Sequence, residues 1–403
     1  MSDRRGRWFI PTLAAGLYFS QGLPFGIANY TLPLYLSVHG VSATEVGLLS
    51  TIGLAWTFKV FWAPAVDLYG SYRRWILGSL AVLAAATAAF GLVPAASTAF
   101  WIVAAVLALA SATQDIGIDA LTIRITPRDL LGPVNSARVA AYRIAIITAG
   151  GGLAVVSGAI GWRWTFFAAA ILTLALMLFM LLVPQREAAA ADRENPFRAL
   201  RRWLARPQAA AFLAVIFLYR LGDSALTPMV PKFWAVSGFS AGEIGTVTTT
   251  FGMICTIAGA VAGGLFVARF GIWSGLLWLG ILQMASNVGY AAVAQVGAGR
   301  PGMYTAAIVE SFCNGLGTAA FLSFLMFICD RENAATEYAM LSAIFGLSRT
   351  LAGMFSGFGA DILGWAPYFW VTVGLGIPGL MLLPLIRTAL AGAKNSVPAS
   401  AAG

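Results

Sequence analysis

Charge is scarce in this sequence, and that scarcity indicates which class of protein it encodes. Only 10% of the 403 residues are Asp, Glu, Lys or Arg, whereas soluble domains carry roughly 25%. Hydrophobic residues make up 59% of the chain, and a soluble fold of this length would expose too much of that apolar surface. The composition therefore excludes an ordinary soluble protein and predicts one that is embedded in a lipid bilayer.

Histidine and cysteine are nearly absent too. The only histidine, His39, falls in a predicted loop, which excludes a histidine relay inside the membrane. The three cysteines lie in apolar runs with neither CxxC spacing nor a neighbouring histidine, so we expect no disulfide and no metal site. The GxxxxGK[ST] phosphate-binding loop is missing as well. No feature therefore favours direct coupling to nucleotide hydrolysis. We expect a protein that is not an enzyme and that uses no cofactor.

The net charge of +9 could suggest nucleic acid as a partner, but the basic residues form no single patch. They concentrate in alternate short loops between apolar runs, and such a bias sets the orientation of a membrane protein. It predicts that both termini and a central Arg-rich linker lie in the cytoplasm. The expected surroundings are a lipid bilayer, with no nucleic acid bound.

The apolar runs predict an all-α membrane fold with about twelve transmembrane helices. Each run of about 18 to 28 residues is long enough to cross the hydrocarbon core as a helix. The predicted helices lie at roughly 9–38, 44–66, 75–93, 98–123, 134–159, 162–183, 208–236, 242–268, 273–294, 301–329, 336–362 and 365–387.

The two halves of the chain resemble each other. The segment "GVSATEVG" (40–47) recurs as "GFSAGEIG" (238–245), and "GWRWTFF" (161–167) corresponds to "GWAPYFW" (364–370). Two copies of six helices are typical of two-domain secondary transporters, in which the substrate cavity lies between the halves. The predicted division is an N-terminal six-helix bundle at 1–184, a cytoplasmic linker at 185–207, a C-terminal six-helix bundle at 208–390 and a cytoplasmic tail at 391–403.

Two aspartates lie inside the fourth predicted helix, where carboxylates are costly. At 1.5 Å per residue, Asp115 lies about 13 Å and Asp119 about 7 Å from the cytoplasmic end of that helix. Their i, i+4 spacing puts both on one face, which must contact a cavity or a cation. Arg143 of helix five lies at nearly the depth of Asp115. One interpretation is that surplus negative charge lets an aspartate bind and release a proton; the other is a static Asp115–Arg143 pair, with Asp119 hydrated.

Helices two and seven carry further charges. Lys59 could bind a substrate or could extend along the helix toward lipid headgroups. Arg220 and Asp223, at i and i+3, could serve transport or could simply neutralise each other. Gly222 and Pro228 interrupt helix seven, and such interruptions are tolerated at membrane depth where the backbone lines a cavity.

Helices ten and eleven contribute Glu310, Asn314 and Arg349, and Arg349 could pair with Glu310 or with Asp223. Arginines bind carboxylates and phosphates, and amides bind hydroxyl and peptide groups, so this interior favours a polar, anionic organic solute. We therefore predict proton coupling by Asp115, Asp119, Asp223 and Glu310, and substrate binding by Gln21, Lys59, Gln114, Arg143, Arg220, Asn314 and Arg349.

Several segments carry a resemblance to one family. They include "TFKVFWAPAVD" (57–67), "SATQDIGIDALTIRITP" (111–127), "LYRLGDSA" (218–225), "ESFCNGLGTAAFLSFLMFICD" (310–330) and "ATEYAMLSAIFGLSR" (335–349). In this order, across essentially all twelve spans, the chain resembles the AmpG-type muropeptide permeases of the major facilitator superfamily. The resemblance implies the fold of that superfamily and proton-driven import of N-acetylglucosaminyl-1,6-anhydro-N-acetylmuramyl peptides through a Gram-negative inner membrane.

The resemblance also implies roles for particular residues. It places functional weight on Asp115 and Asp119 in "QDIGID", and its motifs are matched by Lys59, Arg220, Asp223 and Arg349. Relatives in the wider family move siderophores, so a permease for a siderophore or another anionic organic solute is the alternative. A membrane sensor that transports nothing is a third hypothesis, and it predicts that substituting the buried charges leaves the phenotype intact. The protein is expected to be a monomer.

Overall fold

In a computed structural model, the chain is almost entirely helical over the residues that are described, which are 2–41, 45, 49–181, 195–297 and 299–392. No strand occurs within those ranges. The α-helices are α1 (Ser2–Gly26), α2 (Leu32–Val38), α3 (Leu54–Phe58), α4 (Ala63–Leu68), α5 (Tyr72–Phe90), α6 (Thr98–Ile125), α7 (Leu131–Ile147), α8 (Leu153–Leu181), α9 (Pro196–Leu204), α10 (Ala209–Leu218), α11 (Leu221–Leu226), α12 (Met229–Val236), α13 (Ala241–Ile244), α14 (Gly252–Phe270), α15 (Ile272–Ser274), α16 (Gly280–Val296), α17 (Gly299–Ile328), α18 (Ala334–Leu363), α19 (Trp365–Met381) and α20 (Leu383–Gly392).

Nine stretches of the described residues are long and apolar enough to cross a membrane. The longest, Arg128–Leu181, has 54 residues and contains a non-helical break at Gly161, so it supplies two of the predicted spans. The continuous helical stretch through α1 and α2, and the short helices between Leu49 and Leu68, occupy the two remaining ones. Every predicted span is therefore mainly helical where the structure describes it, with short turns in several of them, and the predicted all-α membrane fold is confirmed.

The repeated GW segments share a backbone conformation. Gly161 has φ 77° and ψ 161°, and Gly364 has φ 78° and ψ 167°. A positive φ in this region is open to glycine and strained for other residues. Each glycine therefore marks the point at which one span ends and the next begins.

The aromatic packing repeats as well. In the first half, the ring centroids of Tyr35 and Phe166 lie 5.2 Å apart with an interplanar angle of 83°. In the second half, Phe233 and Phe369 lie 5.1 Å apart at 73°. Tyr35 and Phe233 occupy matching places, two positions after Pro33 and Pro231, which precede the two copies of the first repeated segment. Phe166 and Phe369 are each the sixth residue of a GW segment. This edge-to-face contact, which is favoured for aromatic rings, occurs at matching positions of both halves and supports the predicted repeat.

The residue contacts divide the chain into two compact units. The first unit consists of Met1–Pro127, Ala137–Leu200 and Cys329–Met340, and the second of Arg128–Ser136, Arg201–Ile328 and Leu341–Gly403. Each unit therefore includes one short segment from the other half of the sequence. The six-helix bundles at 1–184 and 208–390 differ from these units by those segments and stay a prediction.

In the first unit, a buried carboxylate binds the start of α18. Asp67, at the end of α4, accepts hydrogen bonds from the backbone N–H of Thr336 (2.7 Å) and of Ala335 (3.3 Å), and from the hydroxyl of Tyr72 (2.7 Å). The first N–H groups of a helix have no partner within the helix, so this carboxylate satisfies two of them and also interacts favourably with the helix dipole. Burial raises the pKa of Asp67, and the hydrogen bonds from Thr336 and Tyr72 limit that rise.

In the second unit, the segment before residue 137 packs closely on α14. Ser136 Oγ donates to the carbonyl of Ala260 (2.9 Å). A Cβ added to Gly132 would lie only 2.1 Å from the Gly264 oxygen, so the backbones approach at a distance that only glycine permits.

The predicted linker at 185–207 contains α9, which the sequence did not predict. Trp203 is fully buried, and both its Nε1 and the Arg206 guanidinium donate to the carbonyl of Ile328 at the end of α17 (3.1 Å each). They satisfy a carbonyl that has no partner within its own helix. Residues 185–194 of the linker and 393–403 of the predicted tail lie outside the described residues.

Candidate functional site

The candidate site in the first unit is a network of buried charges. Asp115 and Asp119 lie one turn apart on α6, as their spacing predicted. Lys59 lies in a short 3₁₀ turn (Lys59–Phe61) between α3 and α4. All three residues are buried. A polar cluster at this depth requires internal partners, because lipid offers none.

Lys59 bridges the two aspartates. Its Nζ lies 2.9 Å from Asp115 Oδ2 and 3.9 Å from Asp119 Oδ2. The lysine side chain is only 9% exposed. The alternative in which Lys59 extends toward lipid headgroups is therefore wrong. Lys59 begins a 3₁₀ segment that interrupts the predicted helix at residues 59–61, and periodicity alone could not predict this.

Arg138 of α7 is the second cation of the network. Its guanidinium lies 3.1 Å from Asp119 Oδ1 and donates to the Tyr338 hydroxyl at 2.7 Å. It also stacks over the ring of Tyr18, with 4.4 Å between the guanidinium carbon and the ring centroid. The Tyr18 hydroxyl donates to Asp119 Oδ1 at 2.8 Å. Asp119 is thus held by one tyrosine and two cations.

The charges of this network balance, whereas the sequence predicted a surplus. Two cations, Lys59 and Arg138, face two carboxylates. One of the two interpretations was a static pair of Asp115 with Arg143; in the structure Asp115 pairs with Lys59. Arg143 is half-buried on the same helix as Arg138.

Amides from α1 and α6 complete the surroundings of Asp115. The side chain of Gln21 hydrogen-bonds Asp115, and its Oε1 has no hydrogen-bond partner among the described residues. Gln114 is fully buried, and its Nε2 donates to the hydroxyl of Ser20 at 3.2 Å. Both amides therefore lie beside the network, and the Gln21 Oε1 is a buried acceptor whose hydrogen-bonding capacity is unused among the described residues.

A second polar cluster lies in the second unit, where α10 and α11 are separated by a turn at Arg220. Arg220 lies 3.4 Å from Asp223 Oδ2 and donates to the Thr318 hydroxyl at 2.8 Å. Asp223 Oδ1 also accepts from Gln283 (3.1 Å) and Asn287 (3.3 Å) of α16. Asp223 is therefore paired with Arg220, the residue that immediately precedes its helix, and not with Arg349 as one alternative had it.

The remaining predicted residues of the second unit surround this cluster. Asn314 accepts from Thr318 and donates to Glu310, both at 3.3 Å, so a chain of hydrogen bonds on α17 leads from Arg220 to Glu310. Arg349 lies exposed on α18. The roles assigned to Arg349, Glu310 and Asn314 stay predictions.

Part of this site was missed by reasoning from the sequence. Arg138, Tyr18, Tyr338, Thr318 and Gln283 make the contacts given above but were not selected. A signal for Arg138 was available: it lies four residues into the predicted helix 134–159, at a depth of about 6 Å, which matches that of Asp119. The tyrosines carried no such signal, because most aromatics in membrane helices serve packing.

The geometry supports particular chemistry. Each cluster combines ionised groups with amides and hydroxyls inside a protein that crosses the membrane, an arrangement typical of ion and substrate pathways. The Lys59–Asp115 pair can change its hydrogen bonding when a proton binds, and guanidinium and amide groups can bind an anionic solute. The fold and these clusters define a multi-pass membrane transport protein.

Comparison with known proteins agrees with this class. The sequence model of the Major Facilitator Superfamily matches residues 14–335. The "Anhydromuropeptide permease" of Escherichia coli K12 is 32% identical over 387 residues, which span 93% of this chain and 79% of that protein. The "Putative transporter AmpG 4" of Rickettsia conorii is 25% identical over 91% of this chain and 94% of its own length. The structure of the E. coli fucose:proton symporter FucP superposes with a TM-score of 0.74 at 13% identity, over 93% of this chain and 98% of that one.

The chain therefore belongs to the major facilitator superfamily and, within it, to the family of the AmpG permeases. The resemblance inferred from the motifs is confirmed, as is the fold. This is a family of transporters and not of enzymes.

Proposed function

We propose that the protein imports anhydro-muropeptides (GlcNAc-1,6-anhydroMurNAc peptides) from the periplasm to the cytoplasm by alternating access, and that protons drive the import. The observation that carries the substrate class is the 32% identity to the E. coli anhydromuropeptide permease over most of both chains. A disaccharide with peptide carboxylates suits an interior of arginines and amides, because guanidinium groups bind carboxylates and amides bind hydroxyls.

We assign proton uptake to Asp115 first. Asp119 accepts from Tyr18 and lies against two cations, Arg138 and Lys59. Asp115 has one cation, Lys59, and one amide. A proton on Asp115 would weaken its bond to Lys59 and release a cation that can bind the substrate carboxylate. Proton binding and substrate binding would then favour each other, which is the requirement for coupled import.

The second cluster has a matching role in this proposal. Arg220 and Asn314 would bind the substrate, with Arg143 and Arg349 as further cations, and Asp223 and Glu310 would carry protons. The chain of hydrogen bonds from Arg220 through Thr318 and Asn314 to Glu310 supports this grouping.

The distribution of Arg and Lys in the loops supports cytoplasmic termini. We propose a monomer in the inner membrane.

Uptake into proteoliposomes tests the proposal. An inward proton gradient should drive accumulation of labelled anhydro-muropeptide by the wild type, and Asp115→Asn should lower it at least tenfold. Asp361→Asn is the matched control, because Asp361 forms an exposed pair with Lys232 (3.2 Å) and should retain wild-type uptake. Wild-type protein that accumulates a ferric siderophore and no muropeptide would favour the alternative substrate. Accumulation of muropeptide that is insensitive to the gradient and to Asp115→Asn would refute the coupling.

A further inference from the structure

An open groove in the first unit runs along the outside of α5 and α6, away from the buried charges. Its volume is about 660 Å³, within the range of pockets that hold small organic molecules. The walls are apolar and exposed, with Val82 on α5 and Val106 and Leu109 on α6. The outer surfaces of α5 and α6 thus form an apolar groove that protein atoms do not fill.

One end of the groove is basic and aromatic. Arg74, in the first turn of α5, lines it together with Tyr69 and Trp75. The Arg74 side chain is exposed, and no carboxylate among the described residues pairs with its guanidinium. The neighbouring Arg73 guanidinium, in contrast, has a protein partner, because it donates to the Leu181 carbonyl at the end of α8. Arg74 is therefore a cation at a membrane boundary, where Trp and Tyr side chains are also favoured.

The length of the groove matches one leaflet of a bilayer. From Arg74 to Val82 there are eight residues, a rise of about 12 Å along the helix. Half of a hydrocarbon core is about 15 Å thick. A ligand whose charge lies at Arg74 could thus extend an apolar part of about that length along the groove.

We propose that this groove binds one anionic phospholipid, with its phosphate on Arg74 and an acyl chain between α5 and α6. The charge at one end, the apolar walls and the matching length together favour a lipid over a polar solute. Basic pockets between transmembrane helices are known to suit anionic headgroups. The α5 end that carries Arg73 and Arg74 belongs to the loops predicted to be cytoplasmic, so the lipid would come from the cytoplasmic leaflet.

Gly78 gives a sharp way to test the groove. It lines the groove, and a Cβ added there would meet no atom within 4 Å. A Gly78→Leu side chain would therefore occupy the space of the acyl chain without displacing protein atoms. Gly158 of α8 offers a matched control, because a Cβ there also meets no atom within 4 Å and Gly158 does not line this groove.

Native mass spectrometry tests this proposal: lipid is added to the purified, delipidated protein, and the mass of the complex shows how many lipid molecules stay bound. With phosphatidylglycerol and phosphatidylcholine of identical acyl chains, we expect the wild type and Gly158→Leu to retain one phosphatidylglycerol about tenfold more tightly than phosphatidylcholine. Arg74→Gln should remove the preference for the anionic headgroup, and Gly78→Leu should remove retention of both lipids.

Three outcomes would overturn the proposal. They are an unchanged headgroup preference in Arg74→Gln, undiminished retention in Gly78→Leu, and a protein dimer that Gly78→Leu dissociates while lipid retention stays the same. The last outcome would assign the groove to a second copy of the chain. If adding a leucine to a helix surface impaired folding in general, Gly158→Leu would show the same defect as Gly78→Leu. Arg74→Gln tests the headgroup site without adding a leucine.

Discussion

Lys59 Nζ lies 2.9 Å from Asp115 Oδ2, in a pair whose side chains are 9% and 12% exposed. A buried ion pair contributes little net stability, because desolvation of both charges offsets their attraction. Removing Lys59 is different, since it leaves the Asp115 carboxylate buried without its cation. Removing Asp115 leaves Lys59 with Asp119 as a partner at 3.9 Å. We therefore expect the pair to serve the chemistry of transport more than the stability of the fold. A double-mutant cycle measures the interaction energy between the two charges.

The first prediction concerns that cycle. Lys59→Met should destabilise the protein by about 3–5 kcal/mol, and Asp115→Leu by less, because Lys59 keeps Asp119 as a partner at 3.9 Å. The double variant should lose clearly less than the sum of the two. Unfolding in detergent, followed by circular dichroism, measures the three values. Additive losses would show that the two charges do not interact in solution. Transport should be lost in all three variants, because the double variant restores the balance of charge without restoring the proton-binding group.

The second prediction concerns Arg138, which contacts Asp119, the Tyr338 hydroxyl and the Tyr18 ring at once. Lysine keeps the charge but has neither the planar fork nor the stacking face of arginine. Arg138→Lys should therefore reduce the initial rate of uptake by about tenfold, roughly 1.4 kcal/mol.

Tyr338→Phe shows how much one of the three Arg138 contacts, the hydrogen bond to Tyr338, contributes on its own. It removes one hydrogen bond and leaves the Arg138–Asp119 pair intact, so it should destabilise the protein by only about 1 kcal/mol. A rate for Arg138→Lys equal to that of the wild type would mean that only the positive charge matters at this position.

The number of spans and the shared face of the two aspartates could be predicted from the sequence, because both depend only on composition and helical period. Twelve spans follow from hydropathy, and the shared face of Asp115 and Asp119 follows from their i, i+4 spacing. The matched conformations of Gly161 and Gly364 and the matched aromatic pairs agree with the repeat. Hydropathy and residue spacing are local features, so both can be read from short segments.

The partners of these carboxylates could not be predicted in the same way. Lys59 lies in a 3₁₀ segment at residues 59–61, and its partner Asp115 is 56 residues away in the sequence, so no local spacing relates the two. Depth alone favoured Arg143, although the same depth argument applied to Asp119 indicates Arg138. The exchange of short segments between the compact units depends on contacts between residues far apart in the sequence, and no local pattern encodes it.

The third prediction concerns Asp67, which accepts from two backbone N–H groups at the start of α18. Asp67→Ala leaves these buried donors without an acceptor and should destabilise the segment by about 1–3 kcal/mol. Hydrogen exchange should therefore become faster for the amides of residues 335 and 336. Glu332→Ala, which removes an exposed carboxylate from the same segment, should leave those exchange rates unchanged. Equal protection in Asp67→Ala and wild type would mean that the carboxylate does not hold the helix start.

The fourth prediction concerns Glu243, at the start of the second unit's α13. Arg300 Nε donates to its Oε1 at 3.0 Å, the Tyr304 hydroxyl donates to the same oxygen at 3.1 Å, and the Ser240 backbone N–H donates to its Oε2 at 3.0 Å. Ser240 Oγ in turn accepts from the Glu243 backbone N–H at 3.1 Å, which completes a capping box. The hydrogen bonds from Arg300 and Ser240 lower the pKa of Glu243 to about 2, from an ordinary value of 4.5.

A lowered pKa in the folded state fixes the sign of the pH dependence. The contribution of Glu243 to stability is fully present above pH 4.5 and is lost as the pH falls from there toward 2. The unfolding temperature of Glu243→Gln should therefore lie below that of the wild type at pH 6, and the gap should narrow at pH 3. Arg300→Gln should show the same narrowing, because it removes the first donor to the carboxylate. A gap that stays constant between pH 6 and pH 3 would mean that Glu243 acts through packing or neutral hydrogen bonds and not through its charge.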